Sequence, residues 1–495
     1  MKEHGRDPEK PKTLLIDRPF LTKSRSHGTI AVSSIFTGEN GDKNPAWPGR
    51  MSKLEFWFTE HGITEVECLV PDITGIPRGK IVPANKYLNG GPLCLPESIF
   101  TQTVTGAYPE NEETGADPAI IDMQLIPDEN TLRLVPWAKE PTAQVIHDCH
   151  YINGEKVSIA PREVLRKVLD LYKERGWAPI VAPELEFFLV ARNTDPDYPL
   201  TSPIGRSGRQ ESGRQSYSID AVNEFDPLFE EIYDFCEAQK LETDTLSHEE
   251  GAGQFEINFL HGEPLNLADQ VFLFKRTVRE VALRHDIHAT FMAKPMEGQP
   301  GSSMHLHQSV LDIHTNRNLF ADKKGKASPL FLSFIAGQQK YLPAAMAIFA
   351  PNVNSYRRLT RHSGAPINLQ WGYNNRTCGL RVPYADAANI RVENRVPGAD
   401  ANPYLAFAAS LACGYLGMIE YLEPSLPYQG SAYDLPYALP RELPHSLKII
   451  EHSNDLPILL GERFIRVFAA VKRLEYETYL QVVSSWEREH LLLNA

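Results

Sequence analysis

The sequence predicts an α+β protein in which a small, mostly β domain precedes a larger domain of antiparallel strands and helices. The chain has 495 residues, more than the ~250 to 300 at which a single hydrophobic core stops growing, so we expect two domains. Short strand-like segments crowd residues 63–154, and a helical pattern begins after Pro161. Strand-like alternation then returns in four separated segments of the second domain.

Composition excludes several classes of protein. Hydrophobic residues make up 42% of the chain and charged residues 23%, which is ordinary globular usage and argues against a disordered or fibrous protein. The formal net charge is -13 and Lys and Arg are not clustered, so we expect no nucleic-acid partner. The chain contains no signal-peptide-like start and no apolar run of about 18 residues. We therefore expect a cytoplasmic protein with no membrane partner.

The cysteines are scattered, with no Cys-x-x-Cys pair and no regular spacing. This usage predicts reduced thiols packed in the core rather than a disulfide framework or a zinc site. They are Cys68, Cys94, Cys149, Cys236, Cys378 and Cys413.

The first part of the chain divides into an extension and the start of a folded region. Residues 1–50 are polar, rich in Gly, Pro and Lys and without sustained periodicity, which predicts a poorly ordered extension. Ser52 is followed three residues later by Glu55, the pattern of a helix-capping box. We expect a short helix there that ends at Gly62.

Strand signals dominate the next hundred residues. Apolar segments bounded by Pro, Gly, Asn or Asp predict short strands, so we assign residues 51–154 to a small β domain. These segments read EVECLVPD, RGKIVPA, NTLRLVPW and AQVIHDCHY. After Pro161 an apolar stripe at helical spacing opens the second domain, residues 155–495.

Four strand-like segments of the second domain carry chemically reactive side chains on one face. Residues two apart share a face of a strand. The residues that share a face are Glu184 and Glu186; Gln254, Glu256 and Asn258; His305 and His307; and Arg391, Glu393 and Arg395. Each segment alone fits a strand with one solvated face. Because solvated faces usually carry Lys, Thr and Ser, we interpret the four segments together as converging on one site.

The residue types on these faces indicate a metal and a phosphate. Paired carboxylates raise one another's pKa unless a cation lies between them, so they predict a metal site. Several Glu with a His favour Mg²⁺ or Mn²⁺ over structural zinc. Arg376, Arg381 and Arg391 are permanently charged donors that suit phosphate oxygens. No Gly-x-x-x-x-Gly-Lys-Ser/Thr loop occurs, so a nucleotide must bind through another fold.

Six motifs, in order, resemble the glutamine synthetase superfamily over about residues 51–495. They read PELEF, SHEEGAGQFE, GSSMHLH, NSYRRL, NRTCGLRVP and RVENRVPGADANPYL. The resemblance implies a β-grasp N-terminal domain and a glutamine synthetase-type catalytic domain of antiparallel strands and helices. It also implies ATP and Mg²⁺ or Mn²⁺ as cofactors. The family assembles as rings, so a homo-oligomer is implied, a dodecamer of two hexameric rings whose active-site funnels lie between neighbouring subunits.

The resemblance assigns a role to each matching position. The implied ligands of the glutamate-side metal are Glu186, Glu249 and Glu256, and those of the ATP-side metal are Glu184, His305 and Glu393. Positions that match glutamate- and phosphate-binding groups are Gly301, Arg358 and Arg395, and those on the nucleotide side are Ser309, Arg376, Arg381 and Arg391. The implied catalytic residues are Arg358, Arg376 and Arg395, and Tyr217 is a further match.

Four positions depart from the pattern of ammonia-using members. Those members have a flap Glu before Ala-Pro and an Asp in a Phe-Asp-Gly-Ser-Ser motif, where this chain has Gly364 and Pro96. The loss of both anionic groups removes what binds and deprotonates ammonium, and Gly364 leaves room for substituents on nitrogen. Pro300 replaces a glutamate-binding Asn, and Ser303 replaces the second Gly of the same motif.

These departures define the expected activity. The segments APINLQWGYNNRTCGLRVP and NRVPGADANPYLAFAASLACGYLG are most similar to the γ-glutamylpolyamine synthetase branch. That branch implies ATP-dependent ligation of the glutamate γ-carboxylate to an amine, putrescine, another polyamine or a monoamine, through γ-glutamyl phosphate, and a role in polyamine catabolism. Two alternatives stay open: a glutamine synthetase with a rearranged ammonium site, and a catalytically inactive structural homologue. The missing flap Glu argues against the first, and the retained metal-ligand residue types argue against the second.

Overall fold

A computed structural model describes residues 52–110, 114, 121–361 and 363–495. The predicted extension, residues 1–50, lies outside the described residues. The first helix, Lys53–Glu60 (α1), begins with the predicted capping box. The Ser52 hydroxyl accepts from the Glu55 N–H at 3.1 Å, and the Glu55 carboxylate accepts from the Ser52 N–H at 2.7 Å. Gly62 follows the helix with a φ of +63°, a left-handed value that glycine adopts without strain.

A six-stranded sheet follows α1 in the described part of the chain. Its strands are Glu65–Pro71 (β1), Pro77–Pro83 (β2), Cys94–Pro96 (β3), Asp122–Pro127 (β4), Arg133–Leu134 (β5) and Thr142–His150 (β6). The strand order is β2-β1-β6-β4-β3, with β5 beside β6. β1 and β6 run parallel and the other pairs are antiparallel. The predicted domain boundary at residue 154 follows β6, and the β-grasp assignment stays a prediction.

One predicted strand of this sheet is much shorter than its sequence pattern suggests. In NTLRLVPW, only Arg133–Leu134 forms a strand. The Asp128 side chain accepts from the Asn130 N–H at 3.2 Å, and this turn draws Glu129–Thr131 into a 3₁₀ helix. After the strand, Pro136 lacks an N–H and so cannot donate a backbone hydrogen bond that would extend the strand beyond Leu134.

A larger, eight-stranded sheet carries the four polar segments. Its strands are Trp177–Ala191 (β7), Thr243–His248 (β8), Gln254–Phe259 (β9), Ile287–Thr290 (β10), Met304–Asp312 (β11), Trp371–Tyr373 (β12), Leu380–Val382 (β13) and Val392–Asn394 (β14). The order is β12-β13-β14-β11-β7-β9-β8, and β10 also pairs with β7. All pairs are antiparallel except β12 with β13, as the fold class predicts.

Helices connect the strands of both sheets. Beyond α1, they are Ala84–Leu88 (α2), Pro161–Glu174 (α3), Ile219–Asn223 (α4), Asp226–Ala238 (α5), Pro264–Arg284 (α6), Pro329–Tyr341 (α7), Met346–Phe349 (α8), Pro403–Glu420 (α9), Leu443–Glu451 (α10), Leu456–Leu460 (α11), Glu462–Leu480 (α12) and Ser485–Leu491 (α13). Among the described residues, every helix is too short or too polar to cross a membrane. All six cysteines are free, as predicted; five are buried and Cys94 is half-buried.

The register of the large sheet brings the polar residues of neighbouring strands together. Directly paired residues of two strands lie on the same face of a sheet. The relevant pairs are Glu186 with Glu256, Glu184 with His305, His307 with Glu393, and Glu393 with Arg381. The predicted convergence of these strand faces is therefore observed.

The opposite face of the sheet packs into the main hydrophobic core. Phe187, which alternates with Glu184 and Glu186 along β7, is fully buried. Its ring centroid lies 6.3 Å from that of Phe255 on β9 and 6.5 Å from that of Phe274 on α6. Burial of aromatic rings on one face fixes which side chains the other face presents.

A buried ionic cluster ties the small sheet to the helices behind the large one. Arg162, in the first turn of α3, donates to Asp269 of α6 at 2.8 Å, to Asp148 of β6 at 2.5 Å and to Asp128 at 2.8 Å. Tyr404 of α9 donates to Asp269 at 2.7 Å. One guanidinium thus satisfies three carboxylates from three segments.

Loss of this guanidinium leaves the buried Asp269 with the Tyr404 hydroxyl as partner and no ion pair, while Arg166 still pairs with Asp148 at 2.6 Å. We expect Arg162→Met to destabilise the fold by about 3 to 5 kcal/mol. The matched control is Arg192→Met, because Arg192 pairs with Asp286 at 3.4 Å with both side chains well exposed, and such pairs contribute at most about 1 kcal/mol. Urea unfolding followed by circular dichroism measures both. Equal midpoints for the two variants would contradict the structural role of the Arg162 cluster.

Candidate active site

The polar face of the large sheet forms the wall of an open cavity of about 360 Å³. Most of the residues predicted for the site line it: Glu184, Glu186, Tyr217, Glu249, Glu256, Gly301, His305, Gly364, Arg376, Arg381 and Arg395. Strands β7, β9 and β11 supply Glu184, Glu186, Glu256 and His305, and β13 supplies Arg381. The segments outside the strands supply the other predicted residues, among them Glu249, Arg376 and Arg395. The cavity therefore combines concentrated negative charge with guanidinium donors.

Carboxylates in this cavity repel one another. Burial and the neighbouring Glu249 raise the pKa of Glu186 to about 8. Burial also raises the pKa of Glu249, and burial together with the charges of Glu184 and Glu186 raises the pKa of Glu256 well above its usual range. A divalent cation placed among them would offset the repulsion and the loss of solvation.

His305 is a neutral imidazole among these carboxylates. Burial and the charge of Arg395 lower its pKa to about 4. Both ring nitrogens are buried and make no hydrogen bond to the described residues, while Nδ1 lies 3.4 Å from Glu184 Oε2. A neutral imidazole surrounded by carboxylate oxygens fits Mg²⁺ or Mn²⁺, so the residues present suit the predicted metals.

His307 is fixed by a chain of hydrogen bonds that the sequence did not reveal. Arg391 Nε donates to His307 Nδ1 at 3.2 Å, and this assigns the His307 proton to Nε2, which donates to Glu184 Oε1 at 2.8 Å. Despite burial, the imidazoles of His305 and His307 lower the pKa of Glu184 below its usual range. Arg391 therefore contacts an imidazole rather than lining the cavity.

Two sets of three side chains can each hold a metal ion. The ligand atoms within each set lie within 4.8 Å of one another; the sets are Glu184, Glu256 and His305, and Glu184, His307 and Glu393. The two ligand sets predicted from the sequence include all of these residues except His307, but they divide the residues differently between the two metal ions. The ligand assignments stay predictions, and His307 joins the candidates.

Glu393 lies at the centre of an ion-pair cluster. Arg381 Nη1 donates to Glu393 Oε2 at 2.6 Å, and Arg395 Nη1 donates to Glu393 Oε1. Burial alone would raise the pKa of Glu393, but the charges of Arg395 and His307 hold it at about 2. A permanently charged carboxylate keeps both guanidinium groups aimed across the sheet toward the cavity.

Arg358 lies directly behind the cavity wall. It is buried, and its Nη1 donates to the Ser303 hydroxyl at 2.9 Å. A Cβ on Gly301 would approach Arg358 Cγ to 2.3 Å, so only glycine fits beside this side chain. Ser303, one of the departures from the family pattern, therefore supplies a hydroxyl that fixes Arg358.

Several predicted residues do not line the cavity. They are Pro96, Ser309, Arg358, Arg391 and Glu393. Pro96 ends β3 opposite Asp122. The adjacent carboxylate, Glu97, is buried and accepts from Arg463 Nη2 at 2.9 Å, which engages it within its own chain.

Gly364 lies at an open part of the cavity. Its φ is +77°, and a Cβ built there meets no atom within 4 Å. The preceding Ser363 is anchored, because its hydroxyl donates to the Arg358 carbonyl at 2.8 Å. At Gly364 the backbone therefore lines the cavity without a side chain. This leaves open space at the position where the sequence predicts an amine pocket.

Gln254 and Glu250 also line the cavity, although neither of them was assigned a role from the sequence. Gln254 Nε2 donates to Glu186 Oε2 at 3.2 Å and to the Gly301 carbonyl at 3.0 Å, so it fixes two predicted groups at once. Its place on the polar face of β9 was the available signal. Glu250 follows Glu249 directly and also lines the cavity, but consecutive residues on one wall are not expected from strand alternation.

Comparison with known proteins identifies the family. The model of the glutamine synthetase catalytic domain matches residues 158–491. The chain therefore belongs to the glutamine synthetase family, as its motifs predict, and is a ligase of that family.

Individual relatives agree with this assignment. Gamma-glutamylputrescine synthetase PuuA of Escherichia coli (strain K12) is 36% identical over 87% of this chain and 92% of its own length. Glutamate–isopropylamine ligase of Pseudomonas sp is 33% identical over 88% of this chain and 96% of its own. The solved structure of apo GmaS has a TM-score of 0.75 and 28% identity, and the match covers 89% of this chain and 99% of that one.

The raised pKa of Glu186 makes metal binding depend on pH. Below about 8 the metal-free carboxyl holds a proton, which a cation must displace. We expect the Mn²⁺ affinity to rise by up to about tenfold per pH unit between about pH 6 and 8 and to level off above. Titration calorimetry with Mn²⁺ measures this. Glu186→Gln is the control, with weaker binding and a shallower slope; an affinity of the unmodified protein that does not change with pH would refute the prediction.

Proposed function

We propose that the protein is an ATP-dependent ligase that joins the γ-carboxylate of glutamate to an alkylamine or polyamine through γ-glutamyl phosphate. One observation carries this proposal: a cavity that combines a metal-type carboxylate cluster with Arg376, Arg381 and Arg395 opens beside Gly364, where no side chain is present. The names of two relatives, a gamma-glutamylputrescine synthetase and a glutamate–isopropylamine ligase, support the same substrate class.

The first step is phosphoryl transfer. Bound Mg²⁺ or Mn²⁺ would neutralise the phosphate charge and polarise the phosphoryl oxygens. Glu186, Glu249 and Glu256 on one side and Glu184, His305 and Glu393 on the other would hold these ions, with His307 as a further ligand candidate. The γ-carboxylate of glutamate attacks the terminal phosphate of ATP, and ADP leaves. Arg376, Arg381 and Arg395 stabilise the charge on the transferred group.

Residues in and behind the cavity wall would orient the substrates. Arg358, held by the Ser303 hydroxyl, and the Gly301 backbone fix the glutamate end. Ser309 and Arg391 lie toward the nucleotide end, where Arg391 acts through His307. Such positioning converts the encounter of two substrates into a reaction within one complex.

The second step is attack of a neutral amine on the acyl phosphate, which forms the γ-glutamyl amide and releases phosphate. Ammonium is small and cationic, so a site selective for it needs anionic groups nearby. Pro96 and Gly364 supply none, and the carboxylate of Glu97 is bound to Arg463. An alkylamine instead buries methylene groups against the open wall, which contributes about 0.8 kcal/mol per group.

The amine preference tests this assignment directly. We expect kcat/KM for at least one alkylamine or polyamine to exceed that for ammonium by at least about a hundredfold, because two charge-assisted hydrogen bonds to ammonium are missing. Phosphate release with glutamate, ATP, Mg²⁺ and a panel of amines measures the ratio. If ammonium is the best substrate of the panel, the protein is a glutamine synthetase; if no amine releases phosphate, it is an inactive homologue.

A carboxylate restored at position 364 should shift this preference. Because φ at Gly364 is +77°, and Asp and Asn tolerate this region better than Glu, Gly364→Asp is the test and Gly364→Asn its uncharged control. We expect kcat/KM for ammonium to be about tenfold higher in the Asp variant than in the Asn variant, since only Asp offers a charged acceptor. Equal values would show that position 364 does not face the attacking nitrogen.

We further propose that the active chain is a dodecamer of two hexameric rings, in which residues 51–154 of one subunit complete the site of its neighbour. The position of Pro96 outside the cavity of its own chain supports a contribution between subunits. Light scattering after gel filtration should give the mass of twelve chains, and activity should fall upon dilution-induced dissociation. A fully active monomer at micromolar concentration would refute the assembly.

A further inference from the structure

Glu250 has no role in the reaction described above. Of the five glutamates that line the cavity, Glu184, Glu186, Glu249 and Glu256 are assigned to the metal sites, which leaves Glu250. This count covers the described residues of the cavity wall. Glu250 is therefore a carboxylate in the substrate cavity that is not proposed to bind a metal ion. Such a carboxylate can recognise a positive group on the substrate.

A tight turn explains why two consecutive carboxylates face the same cavity. β8 ends at His248, and the chain reverses so that the Glu249 N–H donates to the Gln254 carbonyl at 2.8 Å. Gly253 has a φ of +74°, and a Cβ on Gly251 would approach Phe188 Cζ to 2.7 Å. Only glycine fits at positions 251 and 253, and the turn directs both Glu249 and Glu250 to the cavity.

The surroundings of Glu250 leave its carboxylate available to a ligand. Its partner, Arg214, lies at 2.5 Å, and the two side chains are 45% and 55% exposed. Arg214 Nη2 also donates to the Gly298 carbonyl at 2.9 Å, and the nearby Lys294 donates to the carbonyl of Gln299. Exposed ion pairs of this kind contribute little stability, so a substrate cation can replace Arg214 at Glu250.

The chemistry of the second step indicates which cation this is. The nitrogen that attacks the acyl phosphate must be neutral, whereas a second amino group on the same molecule keeps its proton near neutral pH. That second ammonium group enters the cavity at a high desolvation cost unless an anion pairs with it. A monoamine has no such group and gains nothing from Glu250.

We propose that Glu250 binds the distal ammonium group of the amine and thereby makes the enzyme selective for diamines and polyamines over monoamines. This inference rests on the proposed amine-ligase function and adds a specificity-determining residue to it. Arg214 occupies the carboxylate when no diamine is bound, so it competes with the substrate.

Two matched amines and two variants test this role. The amines are 1,4-diaminobutane and butylamine, which share a four-carbon chain and differ in the second amino group. Glu250→Gln should raise KM for 1,4-diaminobutane by about tenfold or more while kcat changes less than about twofold, because one charged contact to bound substrate is lost. KM for butylamine should change less than about threefold. Arg214→Gln should lower KM for 1,4-diaminobutane, since it removes the competing cation.

The two variants are expected to change KM for 1,4-diaminobutane in opposite directions, and this distinguishes substrate recognition from loop anchoring. If the pair only anchors its loop, both variants break it and both raise KM for the two amines alike, which overturns the inference. Equal effects of Glu250→Gln on both amines, or no effect on either, also overturn it. These results leave the ligase assignment intact, whereas absence of phosphate release with any amine in the unmodified enzyme refutes the proposed function itself. Thermal melts that match the unmodified protein exclude misfolding of these half-exposed variants.

Discussion

The structure depends on the concentration of carboxylates on one half-buried face of an antiparallel sheet. Strand pairing places Glu186 against Glu256 and Glu184 against His305, and the aromatic residues of the opposite face lock that register into the core. Burial and mutual repulsion raise the pKa of Glu186, Glu249 and Glu256. Such a face is costly in a metal-free protein and becomes favourable when divalent cations and phosphates neutralise it. In the proposed reaction, Arg381 and Arg395, which pair with Glu393, would stabilise the phosphoryl group.

The sequence predicted the parts of this arrangement that follow from short-range pattern. Alternation with a period of two identified the polar faces of β7, β9 and β11, and the capping box at Ser52 and the helix after Pro161 formed as expected. The ordered motifs then identified the family. The contact between His307 and Arg391 could not be predicted in the same way, because it depends on the pairing of β11 with β14. The Arg162 cluster likewise joins segments more than a hundred residues apart.

The amine side of the site shows the limits of a position-by-position comparison. Gly364 and Pro96 were recognisable as lost acids, but a comparison does not show what happens to neighbouring carboxylates. Glu97 is buried against Arg463, so it does not replace the missing Asp. Glu250 is turned into the cavity by two glycines, which strand alternation does not anticipate. We therefore infer that selectivity for the amine depends on which acids the local backbone exposes as much as on which acids are present.

The central claim is that the polar face of the large sheet holds two divalent cations. A crystal structure of the full-length protein with Mn²⁺ and ADP, with anomalous scattering measured at the manganese edge, tests it most directly. We expect two anomalous peaks, one contacting Glu186, Glu249 and Glu256 and the other contacting Glu184, Glu393 and a histidine of β11. No anomalous peak among these side chains, with the carboxylates still clustered, would contradict it.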